Sequence, residues 1–139
     1  MRGHAVEARV YAEDPAHGFA PAAGTLLHWE PPSGPGLRLD SGVTAGQEVS
    51  VHYDALLAKL CAWGPDRATA LGRLAEALGR FAVLGVTTNL AFLRAVLRHP
   101  EVQAGTYHTR TIEEHPELLR PDPEGLLPAA RALAAWAAA

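Results

Sequence analysis

Proline and glycine interrupt the first half of this 139-residue chain so often that no long helix can form there. The breaks separate short apolar runs and fall at Asp14-Pro15, at Gly24, at PPSGPG over residues 31–36, at Ser41-Gly42 and at Ala45-Gly46. Apolar runs bounded by such turn residues are typical of strands. We therefore predict strands over residues 4–12, 25–29, 37–40, 49–53 and 56–63. The last of these is apolar apart from Lys59, which predicts a central strand covered on both faces.

The second half changes to a helical period. After Asp66, which suits an N-cap, apolar residues recur at Leu71, Leu74, Leu78 and Phe81 and predict a first helix. The two halves together predict an α+β fold, in which helices from the C-terminal half pack on an antiparallel, hairpin-rich sheet from the N-terminal half.

Further elements are predicted beyond the first helix. Thr87 or Thr88 should cap a second helix, which the pair His99-Pro100 should stop. Residues 101–105 then predict a turn, and residues 109–119 a short helix limited by Pro116.

Composition and charge exclude several functions. A net charge of -3 provides no broad cationic surface for nucleic acid, and no segment approaches the length of about 20 apolar residues that spans a membrane. The single Cys61 excludes an internal disulfide and favours the cytoplasm. The histidines are scattered along the sequence and no glycine-rich phosphate loop or nucleophile motif appears, so we predict neither a metal site nor nucleophilic catalysis.

The first predicted strand carries an arginine among carboxylates. Alternation places Arg9 on one face with Glu7 and Glu13, away from the apolar face. An arginine held by carboxylates presents its remaining donors in a fixed fork, which suits phosphate, carboxylate or a ureido oxygen. From this strand alone, an exposed ion pair without function is the favoured interpretation.

Four ordered segments carry a resemblance to one family. They are GHAVEARVYAEDP at 3–15, GPGLRLDSG at 34–42, Tyr53-Asp54 followed by AKL at 58–60, and GVTTN at 85–89. These segments resemble the C-terminal part of biotin carboxylase, a ligase, and the likeness runs from residue 3 to about residue 112. We therefore divide the chain into a biotin carboxylase C-terminal domain over residues 1–119 and an alanine-rich tail over residues 120–139, helical or disordered, that leads to the next region.

The resemblance assigns roles to single residues. It makes Arg9 the catalytic arginine that stabilises the ureido oxygen of biotin, with Glu7 and Glu13 as supports that orient it. Asp54 matches a family aspartate near the biotin end of the site, although a turn aspartate is an equal alternative. The weaker assignments place Thr109 near adenine, with a helix-start threonine as the alternative, and Pro35 and Arg38 at a subunit interface that would form a homodimer.

The resemblance also implies cofactors and partners. The full enzyme would use ATP, Mg and biotin on a carrier domain, and carboxylate the biotin with bicarbonate via carboxyphosphate. This chain would bind no cofactor alone and would be inactive, because the upstream ATP-grasp region supplies the nucleotide and metal ligands. A carboxyltransferase subunit would complete an acetyl-, propionyl- or methylcrotonyl-CoA carboxylase. The alternatives are a non-catalytic scaffold that contacts a subunit or carrier, and the same region of a pyruvate or urea carboxylase; the sequence does not report the acceptor.

Overall fold

The computed structural model describes residues 2–120, so the predicted tail lies almost wholly outside the described residues. The strands are β1 (His4–Tyr11), β2 (Glu13–Asp14), β3 (Ala20–Pro21), β4 (Gly24–Thr25), β5 (His28–Glu30), β6 (Leu37–Ser41), β7 (Glu48–Val49), β8 (Leu56–Gly64) and β9 (Ala82–Leu84). The helices are α1 (Arg67–Arg80), α2 (Leu90–Arg98), α3 (Pro100–Ala104) and α4 (Thr111–Glu114), with short 3-10 turns at Pro15–His17 and Pro116–Leu119. The predicted α+β class is confirmed.

One antiparallel sheet organises the domain. Its strand order is β1-β8-β6, and the pairs β2-β3, β4-β7 and β5-β9 form smaller antiparallel ladders around it. The inner face of the sheet is closed by α1, where Val10, Leu60 and Ala62 are fully buried. The opposite face of the sheet is therefore the one left for polar side chains.

Helix α1 forms as its sequence predicts. The Asp66 carboxylate accepts a hydrogen bond from the Thr69 backbone amide at 2.8 Å, which satisfies one of the free donors at the helix start. Its buried stripe contains Leu71, Leu74 and Leu78, each at most 1% exposed and each worth about 1.5–3 kcal/mol of burial. This stripe packs on β1 and β8 and fixes the orientation of the sheet.

The later helices differ in part from the sequence prediction. The cap of α2 is Asn89 rather than Thr87 or Thr88, and α2 ends at Arg98 before His99-Pro100 as expected. Residues 101–105 are not a simple turn, because a proline at the first helical position starts α3 and Gly105 ends it with a left-handed backbone. No helix among residues 2–120 is long and apolar enough to cross a membrane.

The strand predictions need three corrections. Strand β8 is central, but within residues 2–120 its second face is covered only at Leu57, because along the rest of that face Lys59 and Cys61 are half-buried and Trp63 is exposed. The predicted strand over residues 25–29 is divided between β4 and β5, and the one over 49–53 shortens to β7. The apolar content of residues 56–63 does not distinguish a strand that is covered on one face from a strand that is covered on both.

Candidate active site

The open face of the central sheet collects charged side chains. Strand alternation buries Ala8 and Val10 and leaves Arg9 exposed to solvent. Arg9 pairs in register with Lys59 on β8, and Lys59 pairs in turn with Asp40 on β6. The three side chains therefore form a row across the three strands.

Asp40 neutralises two of the cations on this face. Its carboxylate lies 3.1 Å from Arg38 Nε and 3.1 Å from Lys59 Nζ. The hydrogen bond from Arg38 lowers the pKa of Asp40 most, and the one from Lys59 lowers it further. In turn, the hydrogen bond to Asp40 raises the pKa of Arg38. Asp40 therefore stays ionised and holds Lys59 in place beside Arg9.

Arg9 forms no ion pair within residues 2–120. Its guanidinium carbon lies 5.3 Å from the centre of the Tyr11 ring, a cation–π distance. Glu7 instead accepts a hydrogen bond from Cys61 Sγ at 3.6 Å, and Glu13 lies in β2, which pairs with β3 outside the central sheet. No observed contact joins either glutamate to Arg9, so their supporting role stays a prediction, and the guanidinium keeps its donors available.

Asn89 holds the end of β1, a role that the sequence analysis missed. Its side-chain oxygen accepts a hydrogen bond from the Tyr11 amide at 3.0 Å, and its side-chain nitrogen donates to the Arg9 carbonyl at 3.1 Å. Its own amide donates to the Tyr11 carbonyl at 3.2 Å. Asn89 is 5% exposed and fixes the backbone that carries Arg9. The only sequence signal for this role was a polar residue near a predicted helix start. Thr87 and Thr88 are equally good cap candidates there, so the sequence did not single out Asn89.

Asp54 lies at the turn before β8. Its carboxylate accepts a hydrogen bond from the Leu56 amide at 2.8 Å, which is the contact expected of a turn aspartate. The residue also lines an open groove of about 420 Å³ together with Gly42, Ser50 and Tyr53. The turn role is thus observed, while a role in orienting biotin stays a prediction.

Thr109 is exposed in the turn before α4 and does not cap it. Helix α4 begins at Thr111 after Arg110 at its N-cap position, and the Thr111 hydroxyl oxygen accepts a hydrogen bond from the earlier His108 amide at 3.0 Å. Thr109 therefore does not start the helix, and its place near adenine stays a prediction.

The two predicted interface residues lie at a sheet edge. Strand β6 is an edge of the central sheet, with Pro35 exposed in the turn before it and the Arg38 side chain 74% exposed. Edge strands offer free backbone groups to a partner. The homodimer remains a prediction that this geometry permits.

Comparison with known proteins identifies relatives of most of the chain. Residues 7–114 match the family described as biotin carboxylase C-terminal domain. The mitochondrial alpha subunit of methylcrotonoyl-CoA carboxylase from Mus musculus is 45% identical over 87% of this chain and 17% of the relative. The biotin carboxylase of Nostoc sp. is 42% identical over 82% of this chain and 26% of the relative.

The solved structures that this chain resembles come from the same kind of protein as its sequence relatives. The biotin carboxylase domain of 2-oxoglutarate carboxylase from Hydrogenobacter thermophilus, solved with MgADP, ADP and bicarbonate, superposes with a TM-score of 0.84. It is 35% identical and matches 86% of this chain and 26% of that chain. The chain thus spans about a sixth to a quarter of the curated relatives cited above. Because one of them is mitochondrial, the cytoplasmic location stays a prediction.

Proposed function

This chain belongs to the biotin carboxylase C-terminal domain family, and we propose that it forms one wall of an active site that carboxylates carrier-bound biotin. The longer enzyme to which it would belong, called the parent enzyme below, would be an ATP-dependent ligase. The observation that supports this role is the guanidinium of Arg9, exposed on the open sheet face and free of ion pairs within residues 2–120.

Arg9 is proposed to stabilise negative charge on the biotin ureido oxygen. In this scheme bicarbonate attacks the γ-phosphate of ATP to give carboxyphosphate and ADP, and carboxyphosphate breaks into carbon dioxide and phosphate. The phosphate removes the proton from biotin N1′, so charge moves to the ureido oxygen, and N1′ then forms its bond to carbon dioxide. A donor already in place lowers the free energy of this step most, since it needs no reorganisation.

The neighbours of Arg9 favour such a donor. Asp40 is occupied by Arg38 and Lys59, so it does not compete for the Arg9 guanidinium. Asn89 fixes the backbone at Arg9, because its side-chain amide donates a hydrogen bond to the Arg9 carbonyl. The planar guanidinium can then offer two parallel N–H groups, which a lysine at this position could not.

The remaining parts of the site belong to other regions of the parent enzyme in this proposal. The described residues contain no glycine-rich loop that would hold nucleotide phosphates, and we assign no ligand of ATP phosphate or Mg²⁺ to this chain. An upstream ATP-grasp region would supply the ligands of ATP phosphate and Mg²⁺. From this chain, Thr109 would lie near the adenine ring. A biotin carrier domain would present the substrate, and a carboxyltransferase subunit would accept the carboxyl group.

The first prediction tests Arg9 in the parent enzyme. Arg9→Ala should lower the carboxylation of free biotin by about 100- to 1,000-fold, because one preorganised donor to a developing oxyanion is removed. Arg9→Lys should recover only part of that loss. The rate is measured from ADP formation that depends on biotin and bicarbonate, beside gel filtration of the assembled enzyme.

Arg80 provides the matched control. It is an exposed arginine at the end of α1, 4.0 Å from Glu76, and contacts none of the proposed site residues. Arg80→Ala should leave the rate unchanged. A normal rate for Arg9→Ala together with lost assembly would instead support the scaffold alternative.

A further inference from the structure

Three potential metal ligands that are scattered in sequence meet where α3 approaches α4. His99 joins α2 to α3, Glu101 lies in the first turn of α3, and His115 ends α4. Each offers one ligand atom, and these atoms all lie within 4.8 Å of one another. Spacing along the chain predicts no metal site here, because the fold and not a local motif brings His115 to the other two.

His115 and Glu101 already have the separation that two ligands of one metal would require. His115 Nε2 lies 3.3 Å from Glu101 Oε1. Two ligands of a tetrahedral zinc ion, each bound at about 2.1 Å, lie about 3.4 Å apart. The rings of His99 and His115 pack together with their centres 4.2 Å apart, so the third ligand is adjacent.

Two further contacts orient the ligands as metal sites usually require. His115 Nδ1 lies 3.1 Å from Glu117 Oε1, and donation of this N–H leaves Nε2 with its lone pair toward Glu101. Histidine ligands of zinc almost always donate their second nitrogen in this way. Glu101 Oε2 accepts a hydrogen bond from the Thr111 hydroxyl at 3.0 Å, which fixes the carboxylate.

His99 adds an unpaired polar atom to the same cluster. Its Nδ1 is buried and has no hydrogen-bond partner among the described residues. A buried polar atom without a partner destabilises the folded state, and coordination of a cation by this nitrogen would give it one.

From this arrangement we propose that His99, Glu101 and His115 bind one divalent transition-metal ion of the zinc class. Two imidazoles and one carboxylate suit such ions and disfavour Mg²⁺, which prefers oxygen ligands and its own water. The fourth position would be filled by water. The bound ion would tie residues 111–117 to the start of α3 and stabilise the folded chain.

The test is a titration of the purified 139-residue chain, stripped with EDTA, with Zn²⁺ by calorimetry and with Co²⁺ by visible absorption. It is run at pH 8, since Glu101 raises the pKa of His115 and protons compete for Nε2 at lower pH. We expect one ion per chain with a micromolar or tighter dissociation constant, Co²⁺ bands typical of four-coordination, and a higher Tm with Zn²⁺. Mg²⁺ should produce none of these changes.

Variants make the assignment specific. His115→Ala and Glu101→Gln should each weaken Zn²⁺ binding by at least about 100-fold, and Glu117→Ala by about 10- to 100-fold as a residue that orients a ligand. Glu101→Gln retains an acceptor for the Thr111 hydroxyl, so it keeps the fold even where His115→Ala does not. His28→Ala is the matched control, because His28 also lies 3.2 Å from a glutamate, Glu30, but belongs to no described three-ligand cluster. Absence of Zn²⁺ binding, or binding that Glu101→Gln leaves unchanged, overturns the proposal.

Discussion

At the scale of single residues, the contacts of Asn89 explain how a helix start controls a strand. One side chain satisfies the Tyr11 amide and the Arg9 carbonyl at the point where β1 leaves the sheet. Both backbone groups would lose a partner if the side chain were removed. Asn89 therefore links the stability of the domain to the position of Arg9.

A second prediction follows for Asn89→Ala. The variant should lower the free energy of unfolding of the purified chain by about 1–3 kcal/mol, since buried backbone groups are left without partners. Urea unfolding followed by circular dichroism measures this change. In the parent enzyme the same substitution should lower kcat while the KM for ATP stays unchanged, because only the Arg9 end of the proposed site moves.

Gln103→Ala is the control for a lost amide. Gln103 is exposed, and its side chain makes one hydrogen bond, to the Leu97 carbonyl rather than to β1. Gln103→Ala should lower the free energy of unfolding by less than Asn89→Ala does, and it should leave kcat unchanged. Equal losses of stability for the two variants would contradict the anchoring role.

At the scale of secondary-structure elements, α1 depends on a cap that titrates. The hydrogen bond from the Thr69 backbone amide is the largest cause of a pKa of Asp66 below its ordinary value. A carboxyl group whose pKa falls on folding stabilises the native state at pH values above its unfolded pKa. That contribution is lost as the pH falls through the lower, folded value.

The third prediction therefore concerns Asp66→Ala. At pH 7 the Tm of the variant should be several degrees below that of the unsubstituted 139-residue chain, because α1 loses its cap. The difference should shrink as the pH falls below about 3.9, the ordinary aspartate pKa, since the protonated acid caps less well. Asp66→Asn, which caps without a charge, should lack this acid-dependent change, and a pH-independent difference for Asp66→Ala would count against the cap.

Some elements were predictable because the signal was local. The α1 cap and leucine stripe, the strand around Arg9 and the stop at His99-Pro100 all depend on neighbouring residues. Gly85 in the GVTTN segment shows the opposite case. Its φ of +104°, and the close approach of the Thr25 carbonyl oxygen to any added Cβ, arise from the tertiary fold and explain the glycine only afterwards.

At the scale of the whole molecule, the candidate site was predictable in its arginine but not in its surroundings. Strand alternation placed Arg9 on the polar face, and the family resemblance gave it a role. The pairing of Asp40 with Lys59 and Arg38 depends on the register of three strands that are distant in sequence. The meeting of His99, Glu101 and His115 likewise depends on helix packing, which no spacing along the chain encodes.

The last prediction concerns the purified 139-residue chain without other regions. Supplied with ATP, Mg²⁺, bicarbonate and biotin, it should form no ADP beyond the uncatalysed rate, because one cation cannot by itself position a nucleotide and its metal. Arg9 acts in our proposal only where carboxyphosphate has already formed. The assay follows ADP by coupled absorbance, with Arg9→Ala as the background measurement, so that a contaminating ATPase shows equally in both. Biotin-dependent turnover that Arg9→Ala abolishes would mean that this chain holds a complete site, and the division of labour proposed here would fail.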